Sequence, residues 1–358
     1  MVKVPSAIGN QPYIRSIQTW GDTIAVLTER YLREQQRFMS ALFLIDPINQ
    51  RFVPFAEKSC HAVHDIAASA DGRYLLCEEQ DGTGIFAYKS VYEQPHTWER
   101  CSESLVGNAV RVTVTNDTLI AVSDQEIYIQ DATRVTRLPL PPLLTESPVT
   151  APTTLELVDS WLYLGYDHGE WGGGLYRFPL QTPAAIERIF DGNVRKLVRD
   201  PHRSAVWMLS GLAHLSLYMM QISHIGLQHH DVLWGEYGII TGTKRGIVYQ
   251  REPSDIIPRY QLPHASPVWA LCLTTHDTPL LLASQVGIIE GQLDTVSGKA
   301  GQQVVYPLSA SNRLVMEASV DMVMARNEDI FVATRSYGVF RLYKEEKGYN
   351  IEQYVFER

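Results

Sequence analysis

The chain has 358 residues, of which 45% are hydrophobic, 10% aromatic and 20% charged. This composition is typical of a folded protein and excludes a disordered chain. The formal net charge is −9 and the isoelectric point is near 5.7. Because binding to a phosphate backbone depends on Lys and Arg, we predict no nucleic-acid partner.

Short apolar runs, each followed by a turn and a second apolar run, recur along the chain. Their starts are spaced about 44 residues apart, which is the period of a unit of four β-strands. The runs occupy residues 24–27, 75–77, 119–122, 162–164, 206–209, 239–240, 281–283 and 330–332. The spacing predicts an all-β repeat protein that forms a single domain over residues 1–358.

Turns such as Asp71-Gly72 and Asn116-Asp117 precede the second strand of the units, and hairpins are predicted at 162–178 and 331–342. Through these features the chain resembles the β-propeller superfamily over nearly its whole length, without the signature of a particular subfamily. The resemblance implies seven or eight four-stranded blades around a central channel, with a binding face at one mouth. The predicted blades are 12–57, 60–102, 108–140, 153–190, 194–222, 224–262, 265–307 and 316–356. Seven blades result if the fifth and sixth are one irregular blade.

The four cysteines show no C-x-x-C spacing, and Cys77 lies in an apolar run where a buried free thiol is the usual occupant. The first residues lack the apolar segment of a secretory signal peptide. We therefore expect a reduced, cytoplasmic protein.

Residues 205–227 contain no charged side chain, which is long enough to span a bilayer. The segment includes His214, Gln221 and His224, and it follows the repeat period. We predict two buried strands joined at Ser210-Gly211, and no membrane partner.

In a propeller, the turns between the second and third strands of all blades lie on one face, so residues far apart in sequence are brought together. These turns supply carboxylates, basic groups and aromatic rings. A separate insertion at 28–40 in the first blade is either a longer hairpin or a short helical flap, and serves either as a protein contact or as a solvated surface. The candidate binding residues are Glu78, Asp81, Asp167, His168, Glu170, Trp171, Arg245, Arg335 and Tyr337 in the turns and Arg33 in the insertion.

The turn at 167–174 is the most unusual segment, with two carboxylates, an imidazole, an indole and three consecutive glycines. Trp171 either forms an exposed anchor for a ligand or partner, or folds onto the neighbouring blade. Asp167, His168 and Glu170 are possible ligands for a divalent metal, but their spacing matches no metal-binding motif, so we predict no metal and no cofactor. His229 and His230 should point to opposite faces of a strand.

The sequence contains no G-x-S-x-G motif and no Walker phosphate-binding motif. We therefore predict a non-enzymatic scaffold that binds a protein partner, as a component of an assembly or as an inhibitor. The alternative is an enzyme or sensor that uses a small molecule or a metal at the central channel, built on Asp167, His168, Glu170 and carboxylates from other blades. Two or more carboxylates with perturbed pKa values converging there would favour this alternative.

Overall fold

The computed structural model describes most of the chain. The described residues are 2–4, 13–32, 37–46, 51–54, 60–69, 71–79, 84–91, 97–107, 110–115, 117–140, 152–214, 217–243, 246–251, 268–276, 278–283, 287–293, 300–307, 319–334, 338–345 and 348–356.

The described strands form seven sheets, each a blade in which strands adjacent in sequence pair antiparallel. Strand β1 (Val2–Val4) precedes the first blade. Blade 1 contains β2 (Tyr13–Trp20), β3 (Thr23–Leu32), β4 (Arg37–Asp46) and β5 (Arg51–Pro54). Blade 2 contains β6 (Cys60–Ala68), β7 (Gly72–Glu79), β8 (Ile85–Val91) and β9 (Glu99–Arg100). Blade 3 contains β10 (Arg111–Thr115), β11 (Thr118–Val122), β12 (Glu126–Gln130) and β13 (Val135–Pro139).

Two short 3₁₀ helices interrupt the next blade, at Gly169–Trp171 and Pro183–Ala185. Blade 4 contains β14 (Thr154–Val158), β15 (Trp161–Asp167), β16 (Gly173–Pro179) and β17 (Glu187–Asp191). Blade 5 contains β18 (Val194–Arg199), β19 (Ala205–His214), β20 (Leu217–Gly226), β21 (His230–Thr243) and β22 (Gly246–Arg251). Blade 6 contains β23 (Val268–Leu273), β24 (Pro279–Ala283), β25 (Gly287–Leu293) and β26 (Ala300–Pro307). Blade 7 contains β27 (Ser319–Met324), β28 (Ile330–Thr334), β29 (Gly338–Glu345) and β30 (Gly348–Phe356), and β1 pairs parallel with β30.

The structure has seven blades because the predicted blades 194–222 and 224–262 are one sheet, blade 5. Its strands are long: β21 has 14 residues and pairs with β20 along its first part and with β22 along its second. The apolar run at 239–240 therefore belongs to an extended strand and does not begin a new blade.

Two hairpins, β19–β20 and β3–β4, decide the expectations for Ser210-Gly211 and for the first-blade insertion. The expected turn at Ser210-Gly211 is wrong, because both residues lie inside β19 and the hairpin turns between His214 and Leu217. In the first blade, Leu32 pairs with Arg37, so the insertion extends the β3–β4 hairpin. In the described part of the chain, no helix is long and apolar enough to cross a membrane.

The chain divides into two compact units, residues 1–152 with 320–358, and residues 153–319. Within each unit the apolar side chains of consecutive blades pack face to face, as in stacked sheets. In the first unit, Phe43 of blade 1 belongs to the same buried cluster as Phe331 of blade 7. In the second, Tyr163 of blade 4 is clustered with Val206 of blade 5.

Polar side chains also join the first strands of neighbouring blades. The first strand is an edge of its sheet, so alternate backbone N–H groups have no partner within the sheet. Three such groups donate to a side chain on the first strand of the preceding blade: Val112 N to Asp65 Oδ2 at 2.9 Å, Leu197 N to Thr154 Oγ1 at 3.2 Å and Ile17 N to Asp321 Oδ2 at 3.0 Å. We refer to these three hydrogen bonds as the first-strand bonds.

Two carboxyl groups on first strands have raised pKa values. Burial raises the pKa of Asp65 to about 6, although Arg15 and the N–H of Val112 favour its charged form. Burial raises the pKa of Glu156 on β14 to about 7, against the opposing effect of Arg199 and then Lys196.

The cysteine expectation is wrong for Cys77, which is buried but bonded to Cys60. A register shift between Cys60 and Ala62 in the β6–β7 pairing accompanies this bond, and the Cα atoms of the two cysteines lie 5.5 Å apart. Cys101 and Cys272 have free thiols. Since disulfides are typical of oxidising compartments, the cysteines no longer support a cytoplasmic location, which stays a prediction.

The disulfide should stabilise the fold by restricting the unfolded chain. For a closed loop with a sequence separation of 17, chain entropy gives about 3 kcal/mol. We expect Cys60→Ala to lower the free energy of unfolding by this amount in denaturant titrations. Adding a reductant should destabilise the wild type to the level of the variant and leave the variant unchanged. A wild-type protein insensitive to reductant would contradict the bond.

Glu156 should make stability depend on pH. Its folded-state pKa of about 7 exceeds the ordinary glutamic acid pKa of 4.5, so the folded protein binds the proton more tightly and loses stability as the pH rises between these values. At about pH 8.5, Glu156→Gln should be more stable than the wild type by up to about 3 kcal/mol, with little difference at about pH 4. Denaturant titrations at both pH values measure this, with the exposed Glu99→Gln as control. An equal gain at both pH values would contradict the assignment.

Candidate functional site

The turn between the second and third strands of blade 4 is closed by its own hydrogen bonds. We call residues 167–173 the Trp171 turn. His168 N donates to Gly172 O at 2.8 Å, and Trp171 N donates to His168 O at 3.2 Å. Gly169 N donates to Asp167 Oδ1 at 2.9 Å. The backbone of the turn is therefore held in one compact conformation.

The glycines of this turn serve different purposes. Gly169 and Gly172 have φ angles of 60° and 89°, a region that L-residues with side chains seldom adopt. Gly173 is required by close packing, because a Cβ there would lie 2.3 Å from Tyr166 O. Gly169 and Gly172 thus permit the reversal of the chain, and Gly173 permits the close packing at the base of the hairpin.

Trp171 lies at the tip of this turn with 86% of its surface exposed. The other exposed large hydrophobic side chains among the described residues range from 37% to 51%. The side chain does not fold onto the neighbouring blade, so of the two alternatives the exposed anchor agrees with its position. A solvent-exposed indole on an ordered turn is a feature of interaction surfaces.

Asn193 connects the Trp171 turn to blade 5. Its side chain is 5% exposed, and its Nδ2 donates to Gly169 O at 2.7 Å. Its backbone oxygen accepts a hydrogen bond from Gly211 N on β19 at 2.8 Å. Asn193 therefore joins the Trp171 turn of blade 4 to strand β19 of blade 5.

His168 and Arg188 complete the support. The imidazole of His168 lies edge-on to Tyr166, with ring centroids 5.8 Å apart. Burial lowers the pKa of His168, Asp167 opposes this effect and Arg188 adds to it, so the ring is neutral at pH 7. Arg188 Nη2 donates to Gly173 O at 2.6 Å and to Asp191 Oδ1. These groups stabilise the turn, from which the described side chain of Trp171 projects.

Glu78 belongs to a separate ionic cluster in the other compact unit. Arg15 Nη1 donates to Glu29 Oε1 at 2.9 Å and to His64 O at 2.7 Å. His64 Nε2 lies 3.5 Å from Glu78 Oε2. Burial lowers the pKa of His64, although Glu78 favours its charged form. The cluster joins blades 1 and 2. Sequence analysis missed Arg15, Glu29 and His64, because they form no motif.

The structure thus brings together Asp167, His168 and Trp171, and places Glu78 in a different unit. Glu170 lies in the 3₁₀ helix, and its side chain is outside what the structure describes. The remaining predicted site residues lie outside the described residues: Arg33, Asp81, Arg245, Arg335 and Tyr337. Among the residues that the structure does describe, no group of three or more His, Cys, Asp or Glu is placed to hold a metal ion.

A second cluster that sequence analysis missed lies at the opposite end of blade 5. His224 Nε2 is 2.9 Å from Asp200 Oδ2, and His229 Nε2 is 3.1 Å from His224 Nδ1. Burial lowers the pKa of His224, and Asp200 opposes this shift. His230 instead faces Phe190, with ring centroids 6.2 Å apart. His229 lies immediately before β21 and His230 begins it, and the two rings contact different partners.

Comparison with known proteins identifies a fold and no closer relationship. No protein-family model matches the chain. No curated protein matches it either.

Solved structures match over almost the whole chain at low identity. The Dos1 propeller is 11% identical with a TM-score of 0.53, over 97% of this chain and 96% of that one. The extracellular domain of BT4673 from B. thetaiotaomicron is 13% identical with a TM-score of 0.54, over 96% of this chain, which spans 40% of that domain's length. YCF48 bound to D1 peptide is 9% identical with a TM-score of 0.52, over 97% of this chain and 99% of that one.

These likenesses and the seven sheets agree. The chain is a β-propeller of seven blades, and no narrower subfamily is supported.

Proposed function

We propose that the protein is a non-enzymatic scaffold that binds a protein partner through the Trp171 turn. The observation that carries the proposal is the 86% exposure of Trp171 on a turn whose backbone is fixed by hydrogen bonds. Covering an indole of about 150–250 Å² would contribute roughly 4–6 kcal/mol of gross transfer free energy. Tryptophan is enriched at binding hot spots for this reason.

The rigidity of the turn adds to the value of this side chain as an anchor. Association costs free energy when a flexible loop must be ordered, and a preorganised loop avoids much of that cost. Propellers can present such surfaces to other chains, since the structurally similar YCF48 is seen bound to a peptide. For this chain we propose a protein partner and no nucleic-acid or membrane partner.

The alternative of a small-molecule or metal site built on Asp167 and His168 receives less support. Asp167 Oδ1 accepts the Gly169 N–H. The ring of His168 packs against Tyr166, and its Nε2 is buried. Both side chains therefore support the turn.

The proposal predicts that Trp171→Ala separates binding from stability. Truncating an exposed side chain should change the free energy of unfolding by no more than about 0.5 kcal/mol. Affinity for the partner, isolated by crosslinking from native lysate and measured by calorimetry, should fall about 30-fold or more, as for a hot-spot residue.

The control is Trp20→Ala, which removes a fully buried indole from the core. That variant should lose about 3–5 kcal/mol of stability. Loss of stability in Trp171→Ala comparable to that of the control would show that the residue packs in the fold. A partner that binds Trp171→Ala as tightly as the wild type would contradict the proposed function.

A further inference from the structure

The flanks of Trp171 face open space. A Cβ placed on Gly169 or on Gly172 would meet no atom within 4 Å. These two glycines lie on either side of the Trp171 side chain in the turn, whereas Gly173 at the base is tightly packed. Among the described residues the space beside these two glycines is therefore open, and 86% of the Trp171 surface is exposed.

We propose that Trp171 is a preorganised knob and that its partner is a folded protein with an apolar pocket that encloses the indole. The inference rests on the proposed function and specifies the class of partner. A side chain that is 86% exposed has most of both ring faces and of its edge in solvent. An extended peptide lying across the tip would cover one face, whereas a concave pocket covers both and can accept the indole N–H.

The charge of the turn favours a protein pocket over a lipid surface. Exposed Trp side chains also occur at membrane interfaces. However, residues 167–174 contain two carboxylates and no Lys or Arg, and the chain carries a formal charge of −9. Arg188, which donates to Gly173 O, is paired with Asp191. The negative potential of an anionic leaflet repels such a surface. A pocket bordered by basic or neutral groups is electrostatically complementary to it.

Gly172 is the positioning residue of the knob. Its φ of 89° and ψ of −151° belong to a region that is essentially restricted to glycine. Because a Cβ there meets no neighbour, Gly172→Ala alters the backbone of the turn without a clash in the core. The substitution keeps the indole and changes its orientation. Gly291→Ala is the matched control, since the Cβ would make only ordinary contacts with Pro279, the nearest at 3.6 Å.

The test measures the affinity of the crosslinked and identified partner for the wild type, Trp171→Ala, Gly172→Ala and Gly291→Ala, with circular dichroism to check that each variant is folded. We expect Gly172→Ala to bind about 10-fold or more weakly and Gly291→Ala to bind like the wild type. Overlapping peptides that cover the partner's sequence should each bind at least about 100-fold more weakly than the folded partner.

Wild-type affinity in Trp171→Ala would overturn the proposed function itself. Loss of binding in Trp171→Ala with wild-type affinity in a folded Gly172→Ala would overturn the knob and leave the proposed function standing. A single partner peptide that binds as tightly as the folded partner would also overturn the proposal that a folded pocket encloses the knob. So would Trp171-dependent binding to vesicles of phosphatidylserine and phosphatidylcholine, which would assign the knob to a lipid surface.

Discussion

The unpaired edge of each blade's first strand is the constraint on which much of the structure depends. A sheet edge presents N–H groups that must find acceptors once neighbouring blades cover them. Here Asp65, Thr154 and Asp321 supply acceptors from the preceding blade. A hydrogen bond fixes distance and direction, whereas apolar packing between sheets is less directional. At these three contacts between consecutive blades, the first-strand bonds therefore fix a register that apolar packing alone would not.

The Trp171 turn depends on the same kind of contact between blades. Asn193 immediately precedes the first strand of blade 5, and it joins Gly169 of one blade to Gly211 of the next. The turn is consequently supported by the packing of blades 4 and 5 and not by its own sequence alone. Asn193 is buried, as is Nε2 of His168, whereas Trp171 is 86% exposed. The proposed binding activity thus follows from how two blades meet.

The sequence predicted the blades because each repeat of apolar runs and turns reports a local hairpin. It left seven and eight blades open, because the 14 residues of β21 contain an apolar run that resembles the start of a new blade. The residues of the first-strand bonds could not be predicted. Asp321, for example, lies between the apolar residues Val320 and Met322, and the same alternation describes a solvent-facing side chain.

The site was predicted in part. Three glycines and an indole identified the turn at 167–174, since glycine permits backbone conformations that other residues avoid. Whether Trp171 packed inwards or projected outwards depended on Asn193 and Gly211, which are distant in sequence. The disulfide between Cys60 and Cys77 was missed because a register shift brings together residues that no spacing motif relates. Polar clusters such as Asp200 with His224 likewise arise only from strand pairing.

The proposed function requires an ordered turn that presents Trp171. Amide hydrogen exchange of the folded protein, followed by nuclear magnetic resonance, measures this order at His168, whose N–H donates to Gly172 O at 2.8 Å. We expect exchange at His168 to be slowed to a rate similar to that of Gly211, whose N–H donates to Asn193 O at 2.8 Å. Exchange at His168 as fast as in an unstructured peptide, with Gly211 still protected, would contradict it.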